Sequence, residues 1–275
     1  MNMESEIILL KKMTKRMRRR ILDLTMPCDF HSHYGPSLSM VEIMAVLYKH
    51  VLNYDVNNPT WEDRDRFFLS KGHCVLGLYT TLEECGFITK EELDTYQTNY
   101  SNFNSHAVMN ITHGIEASSG SLGHGLGLAI GSLLSARRKG LNYRAFVMLG
   151  NGECNEGSVW EAAMLAGMQH LDRLVAILDY NKDQGDGKSE NIINLEPVDG
   201  KWVSFGWNVK RVDGHDIEAL IEAFDSIVFN GKPTILIADT IKGKGVSFME
   251  GAHEWHHHKM TNEQYKQAIA EVERA

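Results

Sequence analysis

Several classes of protein are excluded by what this 275-residue chain has little of. No stretch reaches the roughly 18 to 20 consecutive apolar residues of a membrane-spanning helix, so we expect no membrane association. Basic residues number 28 against 36 acidic ones, and the net charge of −8 argues against a nucleic acid partner. The length and the 43% hydrophobic content fit one large domain as well as two small ones, and because no repeat or linker divides the chain we expect one domain spanning residues 1–275.

Cysteine is also scarce, and no two of the cysteines form a C-x-x-C pair. Their wide spacing excludes a zinc knuckle and gives no sign of a disulfide framework, which favours reduced thiols in a cytoplasmic protein. The basic residues between Lys11 and Arg20 are interpreted as the solvated face of a first helix. The four cysteines are Cys28, Cys74, Cys85 and Cys154.

Helical patterns alternate with short β-rich runs along the chain. This alternation predicts an α/β fold, with a mostly parallel sheet and helices on both faces. Ligands in such folds bind beyond the carboxyl ends of the strands, so the loops there are candidate site positions. Helices are expected near residues 4–24, 38–52, 121–138, 158–169, 216–228 and 262–273. Strands are expected at Ala145–Leu149, Leu174–Leu178, Trp207–Val212 and Thr234–Asp239.

The most informative segment is the glycine loop GNGECNEG, which follows the first of these predicted strands. Gly150 and Gly152 allow the backbone to approach phosphate oxygens, and the helix that follows directs N–H groups at an anion. Ser158 and Glu161 have the spacing of a capping box at the start of that helix. Taken alone, however, a glycine loop after a strand is a common turn.

A candidate metal site combines this loop with the end of the next predicted strand. Asn151 and Asn181 offer side-chain oxygens there, and a nearby backbone carbonyl completes a set of hard ligands. Mg²⁺ prefers such oxygen ligands and often shares them with a bound phosphate. The two segments together predict a site for a diphosphate and a divalent metal ion.

Five segments, taken together, resemble the N-terminal half of transketolases in content and order. The glycine loop followed by LVAILDYNK is similar to the family's thiamine diphosphate motif, which reads GDG and later an asparagine. The pattern is closest to the short transketolases that are encoded as two polypeptides. The other four segments are SHYGPSLS at 32–39, RDRFFLSKGH at 64–73, GIEASSGSLGHGLG at 114–127, and KGKGVSFMEG with EWH ending at His256.

This resemblance implies an enzyme that transfers a two-carbon ketol unit from a ketose or its phosphate to an aldose or its phosphate. The implied cofactors are thiamine diphosphate and Mg²⁺, or Ca²⁺ or Mn²⁺. Four histidines match those that line the family's substrate channel. His33 and His256 would move protons, His106 would bind the donor's terminal hydroxyls, and His73 would support the cofactor.

The resemblance also assigns a cofactor-binding set and one interface residue. Glu156 matches a family glutamate at the subunit interface, although a solvated glutamate at a helix start is an equally good reading. Gly120 and Leu122 match positions beside the aminopyrimidine and the diphosphate. The whole cofactor-binding set is Gly120, Leu122, Gly150, Gly152, Glu153 and Asn181.

Three places depart from the family's pattern. Asn151 stands where the family has aspartate, and Asp183 stands where an apolar residue usually supplies only its carbonyl. Our hypothesis is that Asp183 restores the missing carboxylate as a metal ligand, and the alternative is a weakened metal site. The run EWHHHK carries histidine where glycine usually follows the active histidine, which leaves His256, His257 and His258 open as its position.

The family builds each site with a second, pyrimidine-binding domain, and this chain ends at Ala275, where the first domain would end. We therefore expect a C-terminal partner chain that brings the activating glutamate and the arginines for sugar phosphate, in a heterotetramer of two copies of each chain. The alternatives are a non-catalytic or regulatory subunit, a deoxyxylulose phosphate synthase-like enzyme, or an unrelated α/β protein. SKGH and GIEASSGSLGHG match transketolase better than the synthase.

Overall fold

The computed structural model of the chain describes residues 2–26 and 30–274, which are built around one five-stranded sheet. Its strand order is β1-β2-β3-β5-β4, and every neighbouring pair is parallel. The predicted parallel sheet and four of its strands are confirmed. The strand Arg66–Leu69 was not predicted, because its four residues are too few to show a pattern. The strands are β1 (Arg66–Leu69), β2 (Ala145–Gly150), β3 (Leu174–Tyr180), β4 (Asn208–Asp213) and β5 (Thr234–Asp239).

The helices confirm all six predicted helical regions, and they add one helix of 11 residues, Val75–Cys85, which was not predicted, and several short ones. The region predicted at 38–52 is a helix that continues as a π-helical turn, Leu47–Val51. The helices are α1 (Met3–Thr25), α2 (Tyr34–Leu38), α3 (Val41–Val46), α4 (Val75–Cys85), α5 (Lys90–Leu93), α6 (Gly125–Lys139), α7 (Gly157–Met168), α8 (Ser189–Ile192), α9 (Val198–Ser204), α10 (Ile217–Asp225) and α11 (Asn262–Arg274).

Alternate residues of the strands pack into two separate hydrophobic cores. In β2, Phe146 and Met148 belong to one core, whereas Val147 and Leu149 belong to the other. Successive side chains of a strand point to opposite faces, so the two cores lie on the two sides of the sheet. The first core is completed by α1, α3, α4, α10 and α11, and the second by α6, α7 and α9. Both faces are therefore covered by helices, which is why these strands are apolar on both sides.

The basic face of α1 is less solvated than the sequence suggested. Arg18 is only 8% exposed, and its guanidinium lies 2.6 Å from the Glu42 carboxylate. Arg16, by contrast, is exposed and pairs with Glu84 at the surface. The interpretation as a solvated face is therefore wrong for Arg18, because α1 packs against α3, which carries Glu42.

None of the helices within the described residues combines the length and apolar character needed to cross a bilayer. Three of the four cysteines, Cys74, Cys85 and Cys154, are free thiols, as predicted. The fourth, Cys28, lies outside the described residues.

Candidate active site

The loops that follow β1, β2, β3 and β5 meet at one edge of the sheet and line a cavity of about 480 Å³. The carboxyl ends of parallel strands share one edge, so segments far apart in sequence converge there. Every residue predicted for the site lies in the lining of this cavity. These residues are His33, His73, His106, Gly120, Leu122, Gly150, Asn151, Gly152, Glu153, Glu156, Asn181, Asp183 and His256.

The glycines of the loop after β2 leave open space in front of the backbone. Apart from its chain neighbours, a Cβ placed on Gly150 would come no closer than 3.6 Å to another residue, and the nearest atoms to one on Gly152 belong to the flexible Gln184 side chain, which would have to shift from 3.1 Å. Neither glycine adopts the left-handed conformation that would by itself require glycine. The chain's own packing and turn geometry therefore do not explain the two glycines, whereas an anion lying against the backbone would.

The predicted capping box at the start of α7 is wrong. Glu156 occupies the N-cap position and makes no capping bond with its side chain. The Ser158 hydroxyl donates instead to the backbone carbonyl of Gly123, at 3.1 Å. The loop that carries Gly123 passes directly over the helix start, so a tertiary contact replaces the local one.

Glu153 ties three loops of the cavity wall together. Its buried carboxylate accepts hydrogen bonds from the Ser70 hydroxyl, from Gly123 N at 2.8 Å and from Gly150 N at 3.0 Å. Burial raises the pKa of Glu153, although these hydrogen bonds act in the opposite direction. Both oxygens thus hold the glycine loop in place, and the contribution of Glu153 to a cofactor site is to position that loop.

A buried ion pair lies beneath the cavity and was not predicted from sequence. Asp179, near the end of β3, accepts hydrogen bonds from Lys71 Nζ and Thr240 Oγ1, and from Ser39 Oγ at 2.5 Å. Burial alone would raise the pKa of Asp179, but the Lys71 ammonium and these hydrogen bonds hold it below its usual value. A lysine in SKGH and an aspartate inside the apolar run LVAILDY were the available signals.

The candidate metal ligands lie together at the opposite side of the glycine loop. Asn151 donates from Nδ2 to Ser189 Oγ at 2.5 Å and to the backbone carbonyl of Asp183 at 3.3 Å. The Asp183 N–H donates to Asn181 Oδ1 at 3.1 Å. The two amides and the carbonyl that the sequence singled out are therefore immediate neighbours.

Two acceptor oxygens in this part of the cavity have no hydrogen-bond donor. The Asp183 carboxylate uses Oδ2 to bind Lys188 Nζ at 2.8 Å, whereas its Oδ1 is buried without a partner in the described part of the chain. Asn155 Oδ1 is in the same situation. Leaving such an oxygen unsatisfied costs about 1–3 kcal/mol, so a bound cation or donor is the expected remedy.

The donor set suits a hard cation. Within residues 2–26 and 30–274, no three His, Cys, Asp or Glu side chains converge as a metal site. The available ligands are amide oxygens, one carbonyl and one carboxylate, which are the oxygen donors preferred by Mg²⁺ and Ca²⁺. The residues present therefore fit the predicted metal, with less negative charge than an aspartate at position 151 would give.

The other end of the cavity is formed by closely spaced histidine rings. The ring centroids of His33, His73 and His256 lie 5.1 to 5.5 Å from one another, and His106 lies 5.9 Å from His33. Burial is the main cause that lowers the pKa of His33 to about 3, that of His256 to about 4 and, strongly, that of His73. Neighbouring histidines add to it at His33 and His73, and the ammonium groups of Lys242 and Lys71 add to it at His256. The three rings are therefore neutral near pH 7, and each carries one donor and one acceptor nitrogen.

Only one of the three consecutive histidines at residues 256–258 lines the cavity. His256 lies in the cavity wall, whereas His257 and His258 do not.

Lys242, which was not predicted, donates to the backbone carbonyl of Gln184 at 2.9 Å, and its Nζ lies 3.4 Å from His256 Nδ1. Burial lowers the pKa of Lys242 to about 8, which leaves a largely positive amine facing the cavity.

Comparisons with known proteins agree with this geometry. The family model described as "Transketolase, thiamine diphosphate binding domain" matches residues 12–272. The chain is 40% identical over 264 residues to one of the subunits of an apulose-4-phosphate transketolase from Phocaeicola vulgatus, covering 96% of this chain and 93% of that one. It is 42% identical over 243 residues to a 6-deoxy-6-sulfo-D-fructose transketolase subunit of Clostridium sp., covering 88% of each.

Solved structures give the same picture. Transketolase from Campylobacter jejuni superposes with a TM-score of 0.89 at 28% identity, over 99% of this chain and 43% of that one. Transketolase from Leishmania mexicana gives a TM-score of 0.88, also at 28% identity, over 96% and 41%. The chain thus spans less than half of these transketolases but nearly all of the subunits.

Proposed function

Because this chain belongs to the transketolase thiamine diphosphate-binding domain family, we propose that it is the N-terminal subunit of a two-chain transketolase. In this role it transfers a two-carbon ketol unit from a ketose phosphate, or a similarly anionic ketose, to an aldose phosphate. The observation that carries the proposal is the convergence of all thirteen predicted site residues on one cavity. The near full-length match to subunits of transketolases that act on apulose 4-phosphate and 6-deoxy-6-sulfofructose supports it.

At the glycine-loop end, the residues of this chain would hold the cofactor and its metal. When bound, thiamine diphosphate supplies the chemistry that breaks and forms the carbon–carbon bond. Gly150, Gly152, the N-terminus of α7 and the Lys242 ammonium would bind the diphosphate, with Gly120 and Leu122 beside it. Asn151, Asn181 and the carbonyl of Asp183 would bind Mg²⁺, or Ca²⁺ or Mn²⁺.

Asp183 lies where its carboxylate could replace the one that Asn151 lacks as a metal ligand. Its Oδ1 is buried without a partner, and the residue lines the cavity beside Asn151. Lys188 neutralises part of the charge through Oδ2. We propose that Oδ1 contributes to holding the metal and offsets the charge that asparagine removes at position 151.

At the histidine end, neutral imidazoles would handle the sugar. His33 and His256 would take up and return protons of the sugar's hydroxyl groups. His33 carries an acceptor nitrogen at neutral pH, whereas Nδ1 of His256 lies 3.4 Å from the Lys242 ammonium, which leaves its Nε2 for the sugar. His106, across from His33, would bind the donor's terminal hydroxyls. His73, packed between His33 and His256, would support the thiazolium side of the cofactor.

A C-terminal subunit carrying the pyrimidine-binding domain would complete each site, in a heterotetramer of two copies of each chain. The adjacent helices α6 and α7 offer a surface for it, since they expose several large apolar side chains beside Glu156. Exposed apolar side chains that cluster in this way mark interaction sites. The side chains are Leu128, Met164, Leu165 and Met168, which are 40% to 62% exposed.

We also propose that residues 1–275 form one domain and that the enzyme works in the cytoplasm. Three free thiols, two of them buried, are typical of a reducing compartment. The two cores packed on a common sheet support the domain assignment.

The test is reconstitution with a protein that matches the C-terminal part of transketolases. We expect ketol transfer with thiamine diphosphate and Mg²⁺ from one of three donors: apulose 4-phosphate, 6-deoxy-6-sulfofructose or fructose 6-phosphate. Neither chain should be active alone. Met164→Lys should abolish co-purification and activity together while the far-UV circular dichroism stays unchanged. An inactive complex that also fails to retain thiamine diphosphate with Mg²⁺ would instead indicate a non-catalytic subunit.

A further inference from the structure

A short antiparallel bridge joins the loop before α2 to the loop after the 3-10 turn His253–His256. Ser32 N donates to the carbonyl of His258 at 2.8 Å, and His258 N donates to the carbonyl of Ser32 at 3.1 Å. In such a pair, the neighbouring residues on the two strands lie opposite each other and point to the other side of the bridge. The bridge therefore sets the register that brings His33 opposite His257.

The two rings form a stack. Their centroids are 4.2 Å apart and their planes differ by 23°. The other three histidines around His33 lie farther away, at 5.1 to 5.9 Å, and are inclined by 55° to 85°. On its other side His257 meets His31, with centroids 5.4 Å apart. His257 thus lies between an exposed ring and the ring that lines the cavity.

A metal site does not explain this cluster. Imidazole nitrogens bind metals through lone pairs in the plane of the ring, and rings stacked face to face direct those lone pairs side by side. Consistently, no three potential ligands among His, Cys, Asp and Glu converge in the described part of the chain. The contact between His33 and His257 is instead one of packing, which aromatic rings favour by about 0.5–1.5 kcal/mol per pair.

We propose that His257 is a positioning residue that stacks on His33 and fixes the plane of its ring at the substrate end of the cavity. This inference rests on the proposed function, because it assigns His33 to the donor sugar. A fixed ring plane sets the directions in which the two nitrogens of His33 donate and accept, and the flat imidazole of His257, 4.2 Å away, supplies that restraint.

The electrostatics of the pair support the arrangement. Burial is the main cause of the low pKa of His33, and His257 is the next largest, followed by His256 and His106. Covering one face of the imidazole both excludes water and disfavours a second positive charge nearby. Removal of the His257 ring should therefore raise the pKa of His33.

The kinetic test compares His257→Ala with His257→Phe in the reconstituted enzyme. Loss of a stacked pair should raise KM for the donor about three- to tenfold, with kcat changed less than about threefold. Phenylalanine keeps a flat ring, so it should restore most of the KM. His253→Ala is the matched control, because this exposed histidine lies nearby but outside the stack. An unchanged KM in His257→Ala, or a failure of phenylalanine to restore it, would overturn the proposal.

A second measurement requires no activity. Titration of the histidine imidazoles by NMR in the isolated full chain, with His33→Asn to assign the signal, should show a higher His33 pKa in His257→Ala than in His257→Phe. An inactive complex with this shift would refute the proposed function and leave the positioning role intact. An active enzyme whose His33 signal is the same in both variants would refute the positioning role alone.

Discussion

The two ends of the cavity are built by different means. At the glycine-loop end, buried carboxylates make directional hydrogen bonds: Glu153 joins three loops, and Asp179 binds the Lys71 side chain. At the histidine end, rings pack on one another, and their positions depend on shape and on the bridge between Ser32 and His258. The first end has a buried ion pair beneath its surface, whereas the imidazole rings of the second are neutral near pH 7.

This difference follows from what each end is proposed to bind. A diphosphate and a metal ion carry fixed charges, and a site for them gains from donors that do not reorganise. A sugar presents hydroxyl groups, which are best met by neutral groups able both to donate and to accept. The following variants should separate the two kinds of construction.

The largest effect is expected at the buried ion pair. Asp179→Ala leaves the Lys71 ammonium buried without its carboxylate, and breaking a buried pair in this way costs about 3–5 kcal/mol. Chemical denaturation of the isolated chain measures this loss. The double variant Asp179→Leu with Lys71→Met removes both charges and should recover at least half of the stability. Equal instability of the single and double variants would show that the charges are not the reason.

The substitution Asn151→Asp is expected to lower stability without ligands and to raise it when Mg²⁺ and thiamine diphosphate are present. In Asn151→Asp, the side chain can no longer donate to the Asp183 carbonyl or to Ser189, so without ligands the free energy of unfolding should fall by about 1–3 kcal/mol. With Mg²⁺ and thiamine diphosphate the added carboxylate should bind the metal more tightly, and Tm should exceed that of the wild type. Thermal melts under both conditions measure the two changes.

Asp183→Asn is the companion variant, because it removes the proposed compensating charge while keeping the size of the side chain. The stabilisation that Mg²⁺ and thiamine diphosphate give should become smaller than in the wild type. Asp186→Asn, in the exposed part of the same loop, is the control. If Asp183→Asn and Asp186→Asn respond alike, compensation by Asp183 is wrong.

The smallest effect concerns the pH dependence of stability. The folded pKa of His33 is about 3, so below about pH 6.5 the unfolded chain binds a proton that the native ring does not. The contribution of His33 to the free energy of unfolding therefore decreases as the pH is lowered from about 6.5. His50, far from the cavity, has the opposite behaviour. Burial lowers its pKa, but hydrogen bonds to Asp225 and Glu6 raise it overall, so its stabilisation is present below about pH 6.5 and is lost as pH rises through the folded pKa.

Tm measured from pH 8 to pH 4 should therefore separate the two histidines. His33→Gln should flatten the fall in Tm on the acid side, whereas His50→Gln should lower Tm more at pH 5 than at pH 8. The His33 pKa shift would change stability by up to about 1.4 kcal/mol per pH unit between about pH 6 and pH 4, and solvent screening at this partly exposed ring should reduce the net change in Tm to a few degrees. The same pH profile in both variants would contradict the assignment of the two environments.

The contrast between the two ends also explains what could be predicted from sequence. The strands β2 to β5 show clear patterns, and the order of the motifs brought the site residues to one cavity, as expected. The pair of Lys71 and Asp179 could not be predicted because its members lie 108 residues apart and neither has a local signal for the other. The prediction of a capping box at Ser158 was wrong for a similar reason. The Ser158 hydroxyl donates its hydrogen bond to the backbone carbonyl of Gly123, which lies outside the helix and 35 residues earlier in the chain.

The bridge between Ser32 and His258 has a consequence for the time at which the site is complete. Its two residues are more than 200 positions apart, so most of the chain is translated between them. At about 5–20 residues per second, synthesis of the segment between them takes about 11 to 45 s. The hydrogen bonds of Glu153 can form before then, because their partners all lie between Ser70 and Gly150, whereas the histidine end can form only after His258 has been translated.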